Sequence, residues 1–198
     1  MPGTETARDR ILTDDELCAV WSAATEQGGL FAPVFKLLIL TGQRRNEVAG
    51  MEWRELDLPG MLWKLPRGRV KNDSGHEVPL SDPAIAIIDG VPRVSGRELL
   101  FTTTGNTPIS GFSKAKLEID EASGVEDWTI HDLRRTVASG MARLGVSLPV
   151  IEKILNHTSG SFRGVVGIYQ RHSYADEKRA ALDLWGAHVA RLVTLCRT

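Results

Sequence analysis

A mainly α-helical domain carrying one small antiparallel β-sheet, an α+β arrangement, is the fold class this sequence predicts. Apolar residues recur at helical spacing along most of the 198 residues. A single region, "GMLWKLP" followed by "HEVPLS", reads as two short strands. No Gly/Ser linker, internal repeat or low-complexity segment divides the chain. With 42% hydrophobic and 25% charged residues it has the composition of one globular unit. One domain is therefore expected over 1–198, with residues 1–10 flexible.

The elements follow in order. In "LTDDELCAVW", Thr13 is a helix N-cap, Glu16 completes a capping box three residues on, and Leu12 with Leu17 can form a hydrophobic staple. "FAPVFKLLILTG" predicts a buried helix from Phe31 to Thr41, stopped by Gly42. A short helix follows from about Arg44 to Met51. The two strands come next, with Asn72, Asp73, Ser74 and Gly75 as the turn before the second. Further helices are predicted at Asp82–Asp89, Ser113–Ala122, His131–Leu144, Pro149–Leu155 and Ser173–Cys196. The last carries Leu182, Trp185, Val189, Leu192 and Cys196 in one stripe, either core or a surface for a neighbouring subunit.

Composition narrows the function. No apolar run is long enough to cross a bilayer, and "MPGTETARDR" has no signal-peptide core. The two cysteines, Cys18 and Cys196, form no metal spacing and no disulfide framework, which points to a reducing cytoplasm. The one bridge open to them would join the two ends of the chain. A net charge of −1 argues against nucleic-acid binding through bulk positive charge. Basic residues are clustered instead, at Arg44–Arg45, in "KLPRGRVK", at Lys114 with Lys116, at Arg134–Arg135 and at Arg163.

Five short motifs carry chemistry. In "LTGQRRNEVAG", Arg44 sits just past a helix end and Glu47, three residues on, can hold its guanidinium. Lys71 lies beside the hairpin turn, where a flexible ammonium can serve as proton donor or simply as a solubilising charge. His131 and Arg134, three apart at a helix start, make an anion site beside outward-pointing backbone N–H groups. His157 in "ILNHTSGS" follows a helix end, where a capping role is the plain alternative. Tyr169 stands in "GVVGIYQRHSYADE" close to Arg171 and His172; it and Tyr174 are the two tyrosines of the chain. Each motif alone is better explained as a solvated face or a cap.

Their order is more informative. Arg44 within TGxR, Lys71 in a hairpin, His131-x-x-Arg134, L-x-His157 and then Tyr169 resemble the tyrosine recombinase, or phage integrase, family over nearly the whole chain. Asn156 stands where Gly is usual before the histidine. The resemblance is to the catalytic domain, without the helical DNA-binding domain that family members normally carry ahead of it.

The resemblance implies that Tyr169 attacks a DNA phosphate, leaving a 3′-phosphotyrosine and a free 5′-hydroxyl. A phenol of pKa about 10 needs assistance to do so. Arg44 and Arg134 suit the clamp on the phosphate oxygens, because a guanidinium stays charged and presents a planar fork of donors. His157 adds a hydrogen bond, Lys71 is the general acid for the 5′-oxygen, and His131 assists proton transfer at the tyrosine. Glu47 would orient Arg44 or His131. Exchange of one phosphodiester for another needs neither ATP nor metal, so no cofactor is expected.

The expected partner is double-stranded DNA, met by a monomer that would form a homotetramer on DNA through its last helix. Arg45, Arg69, Lys114, Lys116 and Arg135 are further DNA-contact candidates; Lys114 and Lys116 open a helix at the end where cations are disfavoured. Tyr174 is assigned a structural role at N1 of the last helix, after Ser173 as cap. Competing readings are a type IB topoisomerase-like relaxation of DNA, a non-catalytic DNA-binding module of the same fold, and a metal hydrolase. The five histidines form no HExxH, which weighs against the last.

Overall fold

The computed structural model describes residues 9–70, 75–157 and 173–196. Lys71, Arg163, Tyr169, His172 and the Asn72–Ser74 part of the turn lie outside the described residues. So do residues 1–8 of the segment expected to be flexible; Arg10, at its end, pairs with Glu16.

Among the described residues, eight α-helices and three strands follow one another as α1 (Asp14–Gln27), α2 (Phe31–Thr41), α3 (Arg45–Ala49), β1 (Leu56–Asp57), β2 (Leu62–Leu65), β3 (His76–Pro79), α4 (Asp82–Asp89), α5 (Phe112–Ser123), α6 (Ile130–Arg143), α7 (Leu148–Ile154) and α8 (Ala175–Leu195). The mainly helical fold with a small antiparallel sheet is the class the sequence predicts.

Helix α2 is the centre of the fold. Val34, Phe35, Leu37, Leu38, Ile39 and Leu40 bury every face, as a helix apolar all round must. It is packed by α1, α4, α6 and α8. Helix α1 starts as its capping box dictates: the Glu16 N–H donates to Thr13 Oγ1 at 3.2 Å and the Thr13 N–H donates back to Glu16 Oε2 at 2.8 Å. Gly42 ends α2 at φ 65°, its N–H bonded to the Leu38 carbonyl. That glycine also permits close packing, since a Cβ there would lie 3.0 Å from both Leu155 and Val137 side chains.

The sheet order is β1-β2-β3, antiparallel throughout, with Trp63 opposite Val78 and Leu65 opposite His76. Trp63, Leu65, His76 and Val78 face inward while Lys64 and Glu77 face out. Strand β1 is an addition to the sequence reading; two residues are too short to show a period.

Two sequence expectations change here. Tyr174 is itself the residue before the first turn of α8, at φ 52°, so Ser173 is not the cap. Cys18 and Cys196 are joined in a disulfide, their Cα atoms 6.3 Å apart. Helix α8 runs back over α1 and brings the end of the chain beside Cys18. With both cysteines paired, cysteine usage no longer argues for a reducing compartment.

Helix α8 belongs to the core of its own chain. Leu182, Trp185 and Val189 are buried, and Trp185 Nε1 donates to the Ile39 carbonyl at 2.8 Å. Leu184 and Leu195 are exposed. Among the described residues no helix is long and apolar enough to cross a membrane.

Candidate active site

A cavity of about 940 Å³ opens where the α2–α3 connection, the start of α6 and the root of the β2–β3 hairpin meet. Arg44, Glu47, Arg69, Lys116, His131 and Arg134 are in its wall. Thus Arg44 and the pair His131 and Arg134, far apart in sequence, share one concavity.

Arg44 precedes the first turn of α3. Glu47, at the third helical position, reaches back as a capping-box acid: its Oε2 accepts the Arg44 N–H and its Oε1 accepts Arg44 Nη1, both at 2.9 Å. Glu47 is buried while Arg44 stays partly exposed to the cavity, so this ion pair is shielded from solvent on the Glu47 side only. Of the two residues that Glu47 was expected to orient, Arg44 is the one it contacts here.

Arg134 is 3% exposed on the inner side of α6. Its Nη1 donates to the Gly42 carbonyl at 2.7 Å, and its Nη2 donates to the Leu155 carbonyl. Burial, and then the neighbouring Arg44 charge, push its guanidinium down to about 10, so it remains a cation near neutral pH. His131, one turn earlier, is exposed. Its imidazole is lowered by desolvation and then by Arg135 and Arg134.

The end of α7 is tied into the same centre. A helix leaves its last carbonyls without internal partners. Here those of Ile154, Leu155 and Asn156 are taken by side chains from three other elements. The Ile154 carbonyl accepts Gln43 Nε2 at 3.0 Å and His76 Nε2 at 2.9 Å. Leu155 accepts Arg134, and Asn156 accepts Arg44 Nη2 at 3.4 Å. Cations at a helix C-terminus also meet the negative end of its dipole.

Asn156 itself stands at φ 47°. That left-handed conformation explains why Gly suits the position and why Asn, the next most tolerant residue, can replace it. His157 follows directly. Partial desolvation, then the charges of Arg134 and Arg44 and the imidazole of His131, push it down to about 4. Its ring is therefore neutral near pH 7 and holds one N–H to donate.

The other basic candidates are placed differently. Arg45 is exposed, with its guanidinium 5.2 Å from the Phe112 ring centre. Lys116 lies 4.6 Å over Trp128 and pairs with Asp120. Lys114 is 85% exposed on the outer side of α5. Arg135 pairs with buried Asp132. Arg69 pairs with Glu55 and donates Nη2 to the Glu47 carbonyl at 2.7 Å, so it braces α3. Tyr174 packs on the core edge. Lys71 and Tyr169 lie outside the described residues. Among the described residues, no group of three or more His, Cys, Asp or Glu is arranged to hold a metal ion.

Gln43 and His76 were not singled out in the sequence as site residues. An alternate strand position such as 76 reads simply as core, and its partner is 78 residues away.

Comparisons with known proteins bear on the family and the fold. The chain matches the family model described as the phage integrase family over residues 10–176. This protein belongs to the phage integrase family. Prophage integrase IntA of Escherichia coli (strain K12) is 31% identical over 156 residues, covering 77% of this chain and 37% of the relative. Tyrosine recombinase XerC 2 of Ralstonia nicotianae is 29% identical over 195 residues, covering 92% of this chain and 54% of the relative. The chain thus spans between about a third and a little over half of these relatives. Among solved structures, the integrase from mycobacterium phage Brujita superposes with a TM-score of 0.67 at 18% identity, over 93% of this chain and 60% of that one. A lambda integrase dimer bound to a COC′ core site gives 0.63 at 21% identity, over 79% of this chain and 60% of that one. At these identities the likeness is one of fold.

Proposed function

We propose that this chain is the catalytic domain of a site-specific DNA recombinase that breaks and rejoins strands through Tyr169. The observation that carries the reading is the meeting of two guanidiniums and an imidazole, Arg44, Arg134 and His131, in the wall of one cavity, with His157 in electrostatic reach.

A phosphodiester under attack gathers negative charge on its non-bridging oxygens, and preorganised cations in a partly desolvated cleft answer that charge. The Tyr169 oxygen forms a bond to phosphorus as the bond from phosphorus to the 5′-oxygen breaks. The phenolic proton passes to His131, and Lys71 gives a proton to the departing 5′-oxygen. Neutral His157 donates to the phosphate. One phosphodiester is exchanged for another, so the step needs no ATP and no metal. Attack by a different 5′-hydroxyl in the reverse direction completes strand exchange.

Double-stranded DNA is the substrate. Arg45 and Lys116 line the same cavity and suit flanking phosphates, with Lys114 further out. Arg69 and Arg135, already ion-paired, approach DNA only through their remaining donors. The protein acts as a monomer that assembles four copies on DNA through the outer end of α8.

The test is a nicked suicide DNA substrate mixed with the full-length protein, with mass spectrometry of the trapped adduct. A covalent 3′-linked adduct on Tyr169, formed in the presence of chelator and absent in Y169F, is the expected result. An adduct lost in Tyr174→Phe but kept in Y169F overturns the nucleophile assignment. DNA binding with no adduct favours a non-catalytic module, and supercoil relaxation without two-site exchange favours a topoisomerase.

A further inference from the structure

The turn that carries His157 is held by two kinds of contact. Arg134 and Arg44 grip the Leu155 and Asn156 carbonyls, but in the proposed reaction both guanidiniums are also needed by the phosphate. His76 and Gln43 grip the Ile154 carbonyl and have no such second demand on them.

His76 is well built for this. It is 6% exposed and fixed on β3 opposite Leu65. The next residue of the strand is pinned from the other side, where Lys178 Nζ on α8 donates to the Glu77 carbonyl at 2.7 Å. The Ile154 carbonyl can only accept, so His76 Nε2 must carry the proton of a neutral ring. The ring stays neutral because burial, then the charges of Lys178, Arg134 and Arg44, push it down to about 4.

We infer that His76 is a positioning residue for the reaction: by tying β3 to the Ile154 carbonyl it holds the turn before His157, and so His157, beside Arg134 and Arg44 while the arginines turn to the phosphate. This rests on the reading of His157 as a phosphate donor.

The experiment is single-turnover cleavage of the suicide substrate at saturating DNA, using full-length wild type, H76L, H76Q, H157A and the H76L/H157A double variant. A displacement of His157 on the order of 1 Å is expected to slow cleavage in H76L by about 10- to 100-fold with DNA affinity little changed. H76Q, which keeps an N–H at similar reach, is expected to recover most of the rate. In the H157A background, H76L is expected to cost nothing further, because residues that act as a unit are not additive.

Slow H157A with a fully additive H76L loss overturns the inference and leaves the recombinase reading standing. H157A cleaving at the wild-type rate overturns the role of His157 and the inference with it. If H76L does not fold, long-range nitrogen–proton NMR of the wild-type chain decides: His76 protonated on Nε2 supports the anchor, and on Nδ1 overturns it.

Discussion

Arg134 on α6 donates to the backbone carbonyl of Leu155, 21 residues further along the chain, at the end of α7. The same guanidinium holds the Gly42 carbonyl at the end of α2. One planar fork thus fastens three helices around the cavity and presents its charge to whatever anion enters.

Arg134→Lys keeps the charge and loses the fork. Covalent adduct formation is expected to fall about 10²- to 10³-fold, the range seen when one transition-state donor is removed. A buried carbonyl left without its donor costs about 1–3 kcal/mol, so the melting temperature should fall as well. Adduct kinetics and thermal unfolding on the same preparation check both. A wild-type rate would remove Arg134 from the clamp.

Asn156 at φ 47° predicts a position-specific tolerance. Asn156→Gly should leave stability near that of wild type, whereas Asn156→Val, β-branched in a left-handed conformation, should lose about 1–2 kcal/mol. Urea unfolding measures this. Equal losses in both variants would contradict the backbone account.

Gly140 on α6 lies beneath Trp185 of α8, and a Cβ there would collide with the indole ring. Gly140→Ala should overpack this contact and lower stability by about 1–3 kcal/mol. The fluorescence of buried Trp185 should change with it. Unchanged stability would show that α8 is seated less closely than described.

The acid limb of stability should carry the signature of His76. Its folded value, about 4, lies below the unfolded value of about 6.5. Between those values the unfolded chain takes up a proton that the native ring refuses. This contribution is fully present above pH 6.5 and is lost as pH falls toward 4, at no more than about 1.4 kcal/mol per pH unit. Lys178, Arg134 and Arg44 face the ring, and all three oppose its protonation. The urea midpoint of wild type should therefore fall more steeply over this window than that of H76Q. Parallel slopes would place the proton uptake elsewhere.

Reduction of the Cys18–Cys196 bond should lower stability by about 2–5 kcal/mol, and C18S should match the reduced wild type. Thiol alkylation before and after reduction reads the bond directly.

Much of the fold was legible because its signals are local. The Thr13 and Glu16 capping box, the glycine after Thr41, and the apolar run of α2 each specify an element from a few neighbouring residues. Helices α2 and α4 carry the boundaries the sequence gives them. The sequence was silent on what is held by distant partners. Nothing near His76 or Gln43 announces the Ile154 carbonyl, and nothing near Arg69 announces Glu55 or the Glu47 carbonyl. The pairing of Cys18 with Cys196 depends on α8 folding back over α1, a tertiary fact with no short-range trace. The arrangement of Arg44, His131 and Arg134 around one cavity likewise depends on the α2–α3 connection, the start of α6 and the root of the β2–β3 hairpin meeting; their order along the chain suggested it without containing the geometry.

The bond between residues 18 and 196 turns nearly the whole chain into a closed ring. A single backbone cut anywhere inside that ring yields two pieces that still travel as one molecule until a thiol reductant separates them. Whatever the outer end of α8 meets on another copy, it meets while still tethered to its own first helix.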